Sequence, residues 1–238
     1  MATALPKSGG SPLLEIIALD AADARAAVAG GADRLELVSA MESSGFDPSL
    51  ELFREIRDAV DVPLRVMIRR RDGFAAGGLE GVAELCHVAE ELRKAGADEF
   101  VLGWLNADGT VDGEAVRAVL DVLGGCTWTF HKAVDSAADR DAVYDAVRGL
   151  RGLDTVLTSG GFVKSGDGVE VLEAEASRER SLVGPRVLVG GGLRIEDLPA
   201  LRKAGLDAFH VGTMVRGAGG WGSPIDVEAV RAWRDQLS

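Results

Sequence analysis

The stretch "TWTFHKAVD", Thr127 to Asp135, begins as an apolar, β-branched run and turns polar at His131, Lys132 and Asp135. A histidine beside an aspartate suits general acid–base work near neutral pH, because imidazole titrates there and a carboxylate can orient or charge it. Two more carboxylates sit inside apolar runs, Glu15 in "LLEII" and Glu36 in "RLELV". "VMIRRRDGF" brings Arg69, Arg70 and Arg71 together, and guanidinium forks suit a carboxylate or phosphate. Three further runs end in small or polar residues: "LTSGG" with Ser159 and Gly160, "VGGGL" with Gly191 and Gly192, and "FHVGT" with His210, Gly212 and Thr213. Backbone N–H groups of such glycine turns could face an anion beside a helix start.

These residues need elements to place them, and the chain repeats a unit that supplies them. "GADRLEL" at Gly31, "GADEFVL" at Gly96, "GLDTVLT" at Gly152 and "GLDAFHV" at Gly205 each join glycine and aspartate to an apolar run. Glycine suits the left-handed position that closes a helix, and the run after it reads as a buried strand. Around those four, strands are expected at about 13–19, 33–38, 63–69, 98–103, 126–131, 153–159, 185–190 and 206–212. Helices are expected at about 21–30, 49–60, 79–95, 113–123, 137–149, 168–180, 195–204 and 226–236. Eight strand–helix units with near-continuous apolar strands imply a single (β/α)8 TIM-type barrel spanning 12–238. Residues 1–11 read as a disordered lead-in.

In that architecture the site lies at the carboxyl ends of the strands. Parity along each strand then places Glu15, Glu36, Arg69, Arg71, Thr129 and His131 on inward faces. A mixed set of buried charges must pair, since unpaired ions are expensive to bury. The expected acid–base group is His131 with Glu36 and Asp135. The expected ligand-binding group is Glu15, Arg69, Arg71, Thr129, Ser159, Gly160, Gly191, Gly192, His210, Gly212 and Thr213. Lys132 points away from His131 by parity, so no Schiff-base lysine is assigned, and no residue is assigned to a metal.

Composition narrows the partners. The formal net charge of −12 argues against nucleic acid and anionic membranes, both of which reward clustered Lys and Arg. No apolar run approaches a spanning length, and "MATALPKSGGSP" has no apolar h-region, so a cytoplasmic location is expected. Two cysteines, Cys86 and Cys126, cannot build a disulfide framework. Cys86 shares an apolar helix face and is expected in the core; Cys126 opens strand five, at the far end from His131.

The motifs "GADRLEL", "DPS" at Asp47, "IRRRDGF", "DGTVD" at Asp108, "TFHKAVD" and "LTSGG" resemble, in that order, the CutC copper-homeostasis family across residues 13–212. The resemblance implies one barrel, a homo-oligomer and a role in copper handling. Family members proposed to bind Cu(I) carry cysteines at the positions of Ile17 and Val38, and neither side chain can coordinate a metal. Three functions therefore stay open: a CutC-type copper-homeostasis protein, an enzyme moving protons on a small anionic carbonyl compound, and a non-catalytic sensor or scaffold that binds a ligand or partner.

Overall fold

The computed structural model describes residues 11–238; the lead-in expected over 1–11 lies outside them except for Ser11. Eight parallel strands close in sequence order into a barrel: β1 Leu13–Ala18, β2 Arg34–Leu37, β3 Leu64–Met67, β4 Glu99–Leu102, β5 Thr127–Phe130, β6 Leu153–Thr158, β7 Arg186–Val189 and β8 Ala208–Val211. The helices α1 Ala21–Gly30, α2 Leu50–Ala59, α3 Gly78–Lys94, α4 Gly113–Leu123, α5 Arg140–Val147, α6 Val169–Leu182, α7 Leu198–Lys203 and α8 Val227–Leu237 follow their strands in turn. Among the described residues, no helix is long and apolar enough to cross a membrane.

Local chemistry explains the punctuation. The helices start at the carboxyl end of the barrel, where Asp20, Ser49, Asp112, Asp139 and Asp226 cap α1, α2, α4, α5 and α8 through their side chains. Each such cap is worth about 1 kcal/mol and pins one loop beside the mouth. At the opposite end Gly31 closes α1 with φ near +102° and donates back to Ala27 and Val28. Gly152, expected to close a helix, instead lies beyond α5, whose C-cap is Arg148, and leads into β6; a Cβ there would meet the Cys126 carbonyl at 2.1 Å.

Two cores result. Outward strand residues such as Leu14, Ile16 and Ala18, with Leu35, Phe100, Trp128, Phe130 and Phe209, pack under the helices. The barrel interior is different: Ile17, Val38, Met67 and Val101 form one small apolar cluster, and Leu157, Leu188 and Ala208 another. Between and below them the interior holds charge.

Candidate functional site

Strand register puts Glu15 directly between Arg34 on β2 and His210 on β8. Its carboxylate accepts from Arg34 Nε at 2.5 Å and meets His210 Nδ1 at 2.7 Å. The other imidazole nitrogen, Nε2, lies 3.6 Å from Glu36 Oε2. Arg65, which registers with Glu36, pairs with Glu99 at 2.8 Å and Asp154 at 2.6 Å and donates to Thr129 Oγ1 at 3.2 Å. Glu15, Glu36, Arg34, Arg65, Thr129 and His210 are all buried.

This environment splits the two carboxyls. Burial alone would raise Glu15, but Arg34 and then His210 overcome it and hold the group well below the usual carboxylate range. Burial pushes Glu36 up to about 7, with His210 pulling against it and the Glu15 charge adding to it. His210 is raised: burial opposes its charge, but Glu36 and Glu15 more than compensate. Among the described residues, Glu36 Oε1 is buried without a hydrogen-bond partner.

The next layer toward the mouth is apolar. Ile17, Val38, Met67 and Val101 follow Glu15, Glu36, Arg65 and Glu99 by two residues each, and Leu19, Met41 and Trp221 pack on them. The carboxylates expected at the mouth therefore lie beneath an apolar lid.

His131, expected as a titrating mouth residue, is buried and neutral. Burial lowers it to about 3, with Arg69 adding to the shift. Nδ1 accepts the Ala133 N–H at 3.2 Å, so the ring caps the 3₁₀ turn Lys132–Ser136. That bond assigns the proton to Nε2, which is buried and has no partner among the described residues. Phe74 lies between the two basic groups, with its centroid 5.3 Å from the His131 ring and 5.6 Å from the Arg69 guanidinium.

Asp135 does not orient His131; among the described residues no hydrogen bond joins them. The 3₁₀ turn swings Asp135 toward β6, where it accepts from Arg140 Nη1 (2.7 Å), Thr158 Oγ1 (2.7 Å), Ser159 N (3.0 Å), Ser159 Oγ (2.9 Å) and Gly161 N (3.0 Å). Burial opposes the charge, but these donors, Thr158 and Arg140 first, keep Asp135 below its ordinary value.

The arginines also depart from expectation. Strand β3 ends at Met67, two residues short of the expected end, so the parity rule stops applying beyond it. Arg69 turns to the carbonyls of Ser43, Gly45 and Gly73 at 2.8, 2.8 and 3.1 Å. Arg71 points outward to Glu84 at 2.9 Å and is not an inner-mouth residue. The interior cations are Arg34 and Arg65 instead. The signal was present, since Arg34 shares Glu36's parity and Arg65 shares Met67's.

The glycine turns do gather at the mouth. Ser159 and Gly160 are held in the Asp135 network, where Gly160 N–H donates to Thr158 Oγ1 at 2.9 Å. Gly191 and Gly192 both have left-handed backbones, at φ +93° and +59°. A Cβ on Gly191 would meet Lys132 Nζ at 2.2 Å. The turn thus returns Lys132 to the mouth, against the parity expectation, where it pairs with Asp135 at 3.2 Å. Among the described residues, the N–H groups of Gly191, Gly192 and Thr213 donate to no protein acceptor. Gly212 lies under Trp221, whose ring a Cβ would meet at 2.5 Å.

Both cysteines line an outer cleft of about 730 Å³ with His87, Glu90, Lys94 and Asp98, near the amino ends of β4 and β5. Cys86 is half-buried there, packed on the core but not inside it as its helix face suggested.

Three comparisons bear on this arrangement. The CutC family model matches residues 13–215. A CutC family protein of Xanthomonas axonopodis pv. citri (strain 306) is 33% identical over 198 residues, covering 83% of this chain and 81% of its own length. A solved structure described as a copper homeostasis protein CutC, from Streptococcus agalactiae, superposes with TM-score 0.76 at 22% identity, covering 85% of this chain and 98% of that one. Phosphoribosyl anthranilate isomerase from Thermus thermophilus superposes with TM-score 0.61 at 20% identity over 94% of this chain and 98% of its own, a likeness of fold.

Proposed function

This chain belongs to the CutC family, and from that premise we propose that it acts in copper homeostasis through a small-anion pocket at the carboxyl ends of β5 to β8. The observation that carries the pocket is Lys132 Nζ lying over Gly191, beside the undonated N–H groups of Gly191 and Gly192. An ammonium has three protons and Asp135 takes one, so the others can meet a phosphate or carboxylate. Consecutive backbone N–H groups of a tight glycine turn that have no protein acceptor are available to an anion. Thr213 stands on the neighbouring loop.

Direct Cu(I) coordination at the inner mouth does not fit the donors. Ile17 and Val38 are buried in an apolar cluster whose buried sulfur is the Met67 thioether, and Cu(I) favours thiolates. No copper step is derived from these residues.

A second reading, an enzyme acting on a small anionic carbonyl compound, is favoured by one feature. His131 holds a buried, unpartnered Nε2–H next to Arg69. A ring lowered to about 3 is suited to polarising a carbonyl by hydrogen bonding, not to shuttling protons at pH 7.

Titration calorimetry with inorganic phosphate and with a phosphorylated triose tests the pocket. Lys132→Met should weaken binding about tenfold or more, the worth of one charge-assisted bond. Arg71→Ala should leave it unchanged. Equal affinity in wild type and Lys132→Met would remove the pocket.

A further inference from the structure

We propose that Glu36 and His210, with Glu15 behind them, form an interior site for a divalent transition-metal ion of borderline character, for which Zn2+ is the natural probe. Four observations converge. Each of the three residues offers a donor atom, and these atoms lie within 4.8 Å of one another. His210 Nε2 and Glu36 Oε2 are 3.6 Å apart, beyond a hydrogen bond. Two ligands of one tetrahedral ion with bonds of about 2.0–2.1 Å stand roughly 3.3–3.4 Å apart, so the gap suits an ion between them. Among the described residues Glu36 Oε1 is buried with no partner, a free donor on the same carboxylate.

The fourth observation is charge. The network holds buried Glu15 and Glu36 and half-buried Glu99 and Asp154 against buried Arg34 and Arg65. With a neutral imidazole ligand, four carboxylates face two guanidiniums, and one divalent cation restores balance. Glu15 then has a defined part. It accepts from His210 Nδ1 at 2.7 Å and is itself fixed by Arg34, which orients the ring and leaves Nε2 for the ion. Both Glu36 oxygens with Nε2 give an oxygen–nitrogen donor set, fit for Zn2+ and its neighbours and unlike a thiolate site.

The layer of Ile17, Val38, Met67 and Val101 above the site predicts slow exchange. The ion should enter during folding and stay through chelator treatment of the native protein.

The experiment unfolds the full chain in chelator, refolds it with or without Zn2+, removes loosely held ion with chelator, and measures zinc by mass spectrometry. Wild type should retain one equivalent and melt higher than its metal-free form. Glu36→Gln and His210→Gln should retain none, whereas His87→Ala, which breaks the exposed His87, Glu90 and Glu91 group, should retain it. Lys132→Met should also retain it, which separates this site from the anion pocket. Retention in Glu36→Gln, loss in His87→Ala, or no retention by wild type would each overturn the proposal. Should the interior variants fail to fold, the cobalt form of His87→Ala decides. Strong visible bands of four- or five-coordination support the site, and the weak bands of a six-coordinate hydrated ion refute it.

Discussion

Asp135, half-buried, and Glu36, buried, are both carboxyls near the carboxyl end of the barrel, yet their surroundings are opposites. Asp135 collects hydrogen bonds from Arg140, Thr158, Ser159 and Gly161, and its acidity rises accordingly. Glu36 has one oxygen with no partner, faces His210 across 3.6 Å, and is pushed up to about 7. A saturated carboxylate holds the structure around it and has no capacity left for a ligand. An undersatisfied one costs stability in the protein alone and is held by the surrounding fold. The same residue chemistry thus marks a structural hub on β5–β6 and an open coordination position on β2–β8.

That contrast is broken most directly at the hub. Asp135→Ala would leave Arg140 and the Ser159 and Gly161 N–H groups without their shared acceptor. Breaking a buried ion pair by removing one partner costs about 3–5 kcal/mol. Urea unfolding should show a loss of that size, and a loss below about 1 kcal/mol would mean that solvent replaces the carboxylate.

His131 is the next largest. A mouth residue would tolerate truncation, whereas this one is buried, packs on Phe74 and Phe130, and caps the turn that carries Lys132 and Asp135. His131→Ala should lower stability by about 2–4 kcal/mol through cavity and cap loss together. An unchanged melting temperature would return the residue to the mouth.

The parts of this site that were readable from the chain are those governed by strand parity. Alternation turned Glu15, Glu36 and Thr129 inward, and the four glycine–aspartate passages fixed the frame in which eight strands were read. Parity carries information only while a residue is in a strand, and β3 ends at Met67, so Arg69 and Arg71 leave the pattern on different sides. Lys132 and Asp135 sit on a 3₁₀ turn whose direction depends on the His131 cap and on donors 24 residues away at Ser159. Arg140 was missed for the same reason: it opens α5, and only tertiary packing brings it to Asp135 and Glu175. Neutral His131 could not be read either, because burial and not the neighbouring aspartate sets its proton.

Acid should sharpen the difference between hub and interior. His131 is lowered to about 3 in the fold against an ordinary 6.5, so the unfolded chain takes its proton first. Stability is then full above pH 6.5 and falls as pH drops from 6.5 toward 3, by up to about 1.4 kcal/mol per unit. Asp135, also lowered, adds a loss at the acid end of that range. Glu36, raised to about 7, gains stability over the same interval and offsets this loss, so the urea midpoint should fall further from pH 7 to pH 5 in Glu36→Gln than in Glu36→Gln combined with His131→Leu. An equal difference in both proteins would assign the acid sensitivity to other groups.

The smallest expected effect is the most diagnostic, because its sign is opposite to that at the hub. Glu36→Gln keeps the shape of the side chain and removes a charge that burial and Glu15 both disfavour. The amide can still meet His210 through either terminal atom, and it no longer brings an unpartnered carboxylate oxygen into the barrel. In metal-free protein at pH 8, where the wild-type carboxyl is ionised, the substitution should therefore leave stability unchanged or raise it by about 1 kcal/mol. Asp135→Asn, the matching change at the hub, should lower it, because the amide nitrogen would face Arg140 or the Ser159 N–H. Differential unfolding of the two variants reads the contrast as a difference in sign. If both are destabilised alike, Glu36 is satisfied by a partner such as buried water, and the two carboxyls belong to one class.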